Sequence, residues 1–232
     1  MPIEHASTIH GDRVAVLCSG GLDSVVLAAD LATTSRVQPI YVASGLAWER
    51  DERAVLQRVL TALPAHLTVE PLHVLEASVL DVYSPTHWAV VGTPPAYDTP
   101  DEDVYLIGRN IVLLGKSAVY CARHGIERIA LGPLAGNPFP DATPAFLAAM
   151  AHALSLGLAH PIAVEAPYRT WHKADVIRRG DALGVPMALT LSCMNPVGDR
   201  HCGACSKCRE RHDAFVDAIG SDPTEYAAAL ER

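Results

Sequence analysis

Apolar positions run unbroken through Arg13-Val-Ala-Val-Leu17 and recur through Val25-Val-Leu-Ala-Ala-Asp-Leu31, with Gly20-Gly21 between them. A β-branched run, a two-glycine turn and a helical pattern predict strand, tight turn and helix. Val37-Gln-Pro-Ile-Tyr-Val-Ala43 predicts a second strand. Trp48 to Leu63 predicts a helix with Val55, Leu56, Val59, Leu60 and Leu63 on one face. Leu67 to Leu75 is a third extended piece, Ile111 to His124 a helix and Arg128-Ile-Ala-Leu-Gly132 a fourth strand. Ala145 to Leu158 reads as a helix, Pro161-Ile-Ala-Val-Glu165 as a fifth strand, and another helix starts at Trp171. Strands alternating with helices imply parallel strands joined by right-handed crossovers. The expected fold is α/β: a parallel five-stranded sheet with flanking helices.

Ser78 to Asp103 interrupts this rhythm with Pro85, Pro94, Pro95 and Pro100, the aromatics Tyr83, Trp88 and Tyr97, and the acidic run Asp101-Glu-Asp103. Such a length of loop is either a lid bearing aromatics near a substrate or a solvated loop whose aromatics pack locally. The 232 residues suffice for one domain with a full core. A net charge of −8 argues against a broad polyanion-binding surface, so a small-molecule partner is expected and nucleic acid is not. Residues 1–12 are polar and show no secretory pattern. The least charged stretch, Ala145 to Val164, is interrupted by His152, Gly157, His160 and Pro161 and is not a membrane span. A cytoplasmic protein is expected. Four of the six cysteines fall within sixteen residues, which suits a metal site better than a disulfide framework.

Between the first strand and helix lies Cys18-Ser-Gly-Gly-Leu-Asp-Ser24. Glycines at 20 and 21 permit positive φ and close approach of the backbone to a ligand. The turn's N–H groups and the helix N-terminus then favour an anion, with Ser19 and Ser24 as hydroxyl donors and Asp23 able to hold an associated magnesium ion. Further on, Arg109 could clamp an anion and Asn110 could cap the helix beginning there. Asp141 is either an N-cap or first-turn acid or, as preferred here, a substrate contact. Lys173 in a first helical turn opposes the helix dipole, a cost that a nearby phosphate would offset; the alternative is an exposed lysine without a role. His172 reads as a cap or surface residue. Cys193, Cys202, Cys205 and Cys208 can close a tetrahedron around a structural zinc ion, an iron–sulfur cluster or redox pair being the alternatives; His201 could replace one cysteine. Cys18 and Cys121 read as core residues.

The Ser-Gly-Gly-x-Asp-Ser string resembles the pyrophosphate loop of the ATP pyrophosphatase (PP-loop) superfamily and lacks the Gly-Lys-Ser/Thr of a Walker A loop. Together with Gly108-Arg-Asn110, Lys173 and the four cysteines, it resembles the 7-cyano-7-deazaguanine synthase family over almost the whole chain. The resemblance implies a Rossmann-like, HUP (adenine nucleotide alpha hydrolase-like) domain over 1–232, with 190–215 a zinc-binding appendage. It also implies an ATP-dependent ligase of queuosine biosynthesis that uses two ATP to convert 7-carboxy-7-deazaguanine and ammonia into the nitrile. ATP would be held by Cys18, Ser19, Gly20, Gly21, Leu22, Asp23, Ser24, Val25, Val26, Leu27 and Ala28, with Mg²⁺. Asp23 and Lys173 would be catalytic; Arg109, Asn110 and Asp141 would contact substrate. Cys193, Cys202, Cys205 and Cys208 would bind one Zn²⁺, and a homodimer is the family expectation. The segment Ala135-Gly-Asn-Pro-Phe-Pro-Asp-Ala-Thr143 departs from the family's Asp-x-Ser-Gly-Tyr-Pro-Asp-Cys-Arg: Pro140-Asp141 remain, Phe139 replaces Tyr, and Cys and Arg are lost. Gly45-Leu-Ala-Trp-Glu49 also departs from the family's pattern. The other readings are an amide ligase for a different carboxylate, a tRNA sulfur transferase, which the charge disfavours, and a non-enzymatic nucleotide-binding module.

Overall fold

The computed structural model describes residues 12–95 and 98–230; Tyr97 lies outside the described residues. Strands β1 (Arg13–Leu17), β2 (Arg36–Ala43), β3 (His73–Glu76), β4 (Arg128–Ala130) and β5 (Ala163–Glu165) form one sheet in the order β3-β2-β1-β4-β5. Every neighbouring pair is parallel. Among the described residues there are seven α-helices: α1 (Leu22–Leu31), α2 (Glu49–Thr61), α3 (Trp88–Val91), α4 (Arg109–His124), α5 (Pro144–Leu158), α6 (Lys173–Ala182) and α7 (Ser206–Ile219).

Successive strand residues point to opposite faces, which divides the core in two. Val14 and Val16 meet Val25, Leu56, Ile177 and Phe215 from α1, α2, α6 and α7. Ala15, Ile40 and Val42 meet Leu114, Ala118 and Leu147 from α4 and α5. Both faces of β1 are therefore covered, which is why it reads as a continuous apolar run without alternation. The chain moves outward from β1 through β2 to β3, then crosses back so that β4 lies on the other side of β1. Ligands of open α/β sheets bind beyond the carboxyl ends of the strands at such a reversal. Here that point lies between the loop after β1 and the loop after β4.

The third strand is shorter than the expected 67–75. Pro71 has no N–H to give, so only an isolated bridge joins Val69 to Val37, and the ladder starts at His73. The segment 78–103 holds α3 and a 3₁₀ turn at Asp101–Val104. Trp88 stacks on Trp48 at 5.6 Å, and with Leu46, Ala89 and Leu106 they form a small apolar cluster. The cysteine-bearing segment continues into α7, whose Phe215 is fully buried in the main core. Among the described residues no helix is long and apolar enough to cross a membrane.

At Gly180, α6 packs closely against Val26 of α1 and against Met187. A Cβ there would lie 2.8 Å from Val26 Cγ2 and 2.7 Å from Met187 Sδ. Gly180→Val should therefore destabilise by about 1–3 kcal/mol through overpacking. A thermal melt reads this as a fall of roughly 2–4 °C per kcal/mol. An unchanged melting temperature would show that the α1–α6 contact gives way.

Candidate active site

Gly20 has φ +80°, and a Cβ there would meet the Glu52 carbonyl oxygen at 3.0 Å, so both the turn and the approach of α2 require glycine. Gly21 differs from expectation: at φ −70° it is an extended N-cap for α1, and only Gly20 is left-handed. The two serines tie the turn together. Ser19 N–H donates to Ser24 Oγ at 3.2 Å, and Ser24 Oγ donates to the Gly21 carbonyl at 3.0 Å. A further strut comes from far along the chain, where Leu191 N–H donates to the Gly20 carbonyl at 2.9 Å. Val25, Val26, Leu27 and Ala28 are fully buried in the core, so their side chains cannot meet a nucleotide. Burial pushes the Cys18 thiol up to about 12, and Cys121 likewise, against a smaller opposing effect of Arg13; both are inert.

Lys173 is the first residue of α6, and Asp175 Oδ2 caps the His172 N–H before it. Its ammonium is half-buried between two carboxylates, 2.8 Å from Asp23 Oδ2 and 2.9 Å from Glu210 Oε1. These carboxylates offset the adverse helix dipole here. Burial opposes the charge on Lys173, but Asp23 and Glu210 outweigh it and hold its pKa above the ordinary lysine value. Burial likewise pushes Glu210 up, but Lys173 and then Lys207 bring it down to about 2. Asp23 Oδ1 is buried without a hydrogen-bond partner. An orphaned carboxylate oxygen costs on the order of 1–3 kcal/mol unless a ligand satisfies it. It is a hard oxygen donor of the kind magnesium takes.

Two adjoining cavities, about 270 and 370 Å³, open above the β1–β4 reversal. Ser19, Gly21, Asp23, Glu52, Phe139 and Lys207 border both. The smaller adds Lys173 and Glu210; the larger adds Trp48, Trp88, Tyr105, Arg109, Asn110 and Asp141. The smaller cavity offers a cradle for phosphates, and the larger an aromatic-walled slot with a guanidinium. Arg109 sits 6.0 Å over the Trp48 ring, and Phe139 stacks on Tyr105 at 5.0 Å.

The capping roles of Asn110 and Asp141 are reversed from expectation. Gly108 is the N-cap of α4, and Asn110 is its second residue. Asp141 Oδ2 accepts the Asn110 N–H at 2.9 Å, while Asn110 Nδ2 donates to the Asp141 carbonyl at 3.0 Å. Asp141 thus caps α4, a helix before it in sequence, whereas Thr143 Oγ1 caps α5. Both residues still border the larger cavity, and Asp141 fixes the turn that carries Arg109. Asp141→Ala should cost about 1–2 kcal/mol in a thermal melt, as lost caps do. An unchanged melting temperature would show that α4 does not need this cap.

Glu52, Glu210 and Lys207 were not singled out from sequence. Glu52 had a signal: an acidic residue in step with Val55, Leu56 and Val59 on the apolar face of α2. Glu49, on the same face, accepts the Ser44 and Gly45 N–H groups at 2.7 and 2.9 Å and shapes the turn.

The sulfurs of Cys193, Cys202, Cys205 and Cys208 lie within 4.8 Å of one another. Pairs stand at 3.9 Å (Cys193–Cys205), 3.8 Å (Cys202–Cys208) and 3.5 Å (Cys205–Cys208). Tetrahedral bonds of about 2.3 Å to one zinc ion would set sulfurs ~3.8 Å apart, so the donor set fits such an ion. Backbone N–H groups of Asn195 and Cys202 point at Cys193 Sγ and that of Ala204 at Cys202 Sγ. The four thiols act strongly on one another: Cys202 is held well below its usual value by Cys193, Cys205 and Cys208, while Cys193 is pushed up. His201 is not a fifth candidate: its Nε2 accepts the Ser192 N–H at 3.1 Å, and burial, then Arg211, lowers its pKa to about 3. The segment between Met187 and Ser192 is fastened by Arg211, which is fully buried and donates to the Met187 carbonyl and Thr190 Oγ1, both at 2.8 Å. Ser192, Cys193 and Met194 then border the larger cavity.

A family model described as Queuosine biosynthesis protein QueC matches residues 13–219. A 7-cyano-7-deazaguanine synthase from Anaeromyxobacter dehalogenans (strain 2CP-C) is 33% identical over 235 residues, covering 95% of this chain and 98% of that one. One from Caldicellulosiruptor bescii is 31% identical over 228 residues, covering 94% and 99%. Among solved structures, U34-tRNA thiolase NcsA from Methanococcus maripaludis is 15% identical, covers 92% of this chain and 69% of that one, and gives a TM-score of 0.47. That likeness is too loose to bear on function.

Proposed function

The chain belongs to the QueC family of queuosine biosynthesis proteins, and on that premise we propose that it is an ATP-dependent carbon–nitrogen ligase making 7-cyano-7-deazaguanine from 7-carboxy-7-deazaguanine and ammonia. The observation that carries this reading is the Lys173–Asp23 pair at the foot of the Ser-Gly-Gly-Leu-Asp-Ser loop, with Asp23 Oδ1 left unsatisfied.

In this reading the loop N–H groups and the α1 N-terminus hold the ATP phosphates in the smaller cavity. Asp23 Oδ1 would hold a magnesium ion, whose chemistry would be to neutralise charge on the pyrophosphate. Lys173 stabilises the same charge as the bond between the α and β phosphates breaks. Arg109 orients the carboxylate in the larger cavity so that its oxygen attacks the α-phosphorus, giving an acyl-adenylate. The apolar wall of Trp48, Trp88 and Leu106 keeps water from that intermediate. Ammonia then displaces AMP to give the amide, and a second activation by ATP removes the amide oxygen to give the nitrile.

For the cysteine site we propose a single structural zinc, because the sulfur spacing suits one tetrahedral ion better than a multi-iron cluster. Six free cysteines suit a reducing cytoplasm, and we expect a homodimer. A second reading, an amide ligase for another carboxylate, draws on Phe139 and its altered 135–143 segment, which border both cavities. A tRNA sulfur transferase fits the net charge of −8 poorly.

Incubation with magnesium, ATP, ammonia and 7-carboxy-7-deazaguanine, followed by mass spectrometry, separates the readings. AMP with nitrile is the expected outcome. Substrate-dependent AMP without nitrile would favour the second reading. No AMP with any carboxylate would refute both.

A further inference from the structure

Glu52 has no part in the steps above, yet its position is hard to account for by structure alone. It is buried, it borders both cavities, and its backbone supports Gly20 from beneath. Oε2 accepts the Tyr41 hydroxyl at 2.6 Å; among the described residues Oε1 has no hydrogen-bond partner. Nor is Glu52 in an ion pair there: Arg109 acts on it only through space. A carboxylate beside a phosphate cradle is electrostatically costly, and one held by a single hydroxyl has a lone pair to offer. The groups that face it are Tyr41 from β2, Glu49 from its own helix and Arg109 from α4.

We propose that Glu52 is the proton acceptor of the amination step, an inference that rests on the ligase reading above. Ammonia attacks the activated carboxyl carbon and a C–N bond forms. The bond from that carbon to the AMP oxygen breaks, its electron pair leaving with AMP. One N–H proton passes to Glu52 Oε1, giving the amide, AMP and a neutral carboxylic acid that returns its proton to solvent. Burial pushes the Glu52 carboxyl up to about 7, against the opposing pull of Arg109 and the Tyr41 hydrogen bond. A base poised there is strong enough to take the proton and is regenerated near neutral pH.

The full-length enzyme with magnesium tests this in three measurements. Substrate-dependent exchange of labelled pyrophosphate into ATP, run on the wild type without ammonia, reads adenylation alone. Its absence would overturn the ligase reading and this inference with it. Glu52→Gln should lower ammonia-dependent turnover about 100-fold more than it lowers exchange, the usual worth of a general base. Hydroxylamine, whose adduct sheds its proton to water readily, should restore product formation in Glu52→Gln in proportion to the remaining exchange. Equal losses in exchange, ammonia turnover and hydroxamate formation would overturn the inference, as would no loss at all. At fixed free ammonia, wild-type turnover should fall as pH drops through about 7. Tyr41→Phe, which removes a hydrogen bond favouring the charged form, should move that limb upward; an unmoved limb counts against Glu52.

Discussion

Asp23→Ala lowers substrate-dependent AMP formation by about 10³-fold or more, the scale of removing a group that stabilises transition-state charge. Two losses combine. The oxygen that would ligand magnesium disappears, and Lys173 turns from a shared position between Asp23 and Glu210 toward Glu210 alone. Stability should change far less. Deleting the Asp23–Lys173 hydrogen bond costs about 1.5–3 kcal/mol, while relieving the unpartnered Oδ1 returns about 1–3 kcal/mol. The melting temperature should thus stay within a few degrees while activity vanishes. AMP formation within tenfold of wild type would refute the placing of phosphates in this loop. A collapse in melting temperature would instead make Asp23 a structural residue.

Loss of the proposed zinc should damage both stability and catalysis. Cys205→Ser leaves three thiolates, and metal content should fall from one ion per chain toward none. Structural zinc supplies about 10–16 kcal/mol to small zinc-dependent folds, of which a domain with its own core would lose a part. A loss of ~4 kcal/mol here corresponds to a fall in melting temperature of about 8–16 °C. The catalytic effect follows from position. Leu191, two residues before the first ligand, props the Gly20 carbonyl, and α7, which opens at Cys205, carries Lys207 and Glu210 to the phosphate cradle. AMP formation should drop at least tenfold at temperatures where the variant is still folded. Normal activity in metal-free protein would mean that the cysteine site is energetically separate from the loop.

Contiguous features were legible in the sequence. The strand, two-glycine turn and α1 lie side by side along the chain, and Cys202, Cys205 and Cys208 repeat at a spacing that only a shared centre explains. The parallel direction of the strands also followed from their alternation with helices, but not their order in the sheet. Features built across the sheet were not legible. Asp141 caps a helix 31 residues earlier, and nothing in its local context announces that. Lys173 could be flagged as misplaced at a helix start, but its partner Glu210 is in register with it only after α6 meets α7. The segment 78–103 was read as a lid or as a loop with locally packed aromatics, but that Trp88 would stack on Trp48 outside it was not legible. The β3 boundary failed because Pro71 interrupts an apolar run that otherwise reads as strand.

The Asp23–Lys173 contact spans 150 residues of sequence, and the Leu191 prop reaches further still. The cradle is thus translated early and completed late. Until α7 has docked, the glycine turn lacks the helix that brings Lys207 and Glu210, so ATP use should wait for that contact. Contacts of such high sequence separation also slow folding, because loop closure precedes their reward. ATP use should therefore depend on a contact made far from the turn itself: loosening α7 from α6 would silence the glycine loop without touching it.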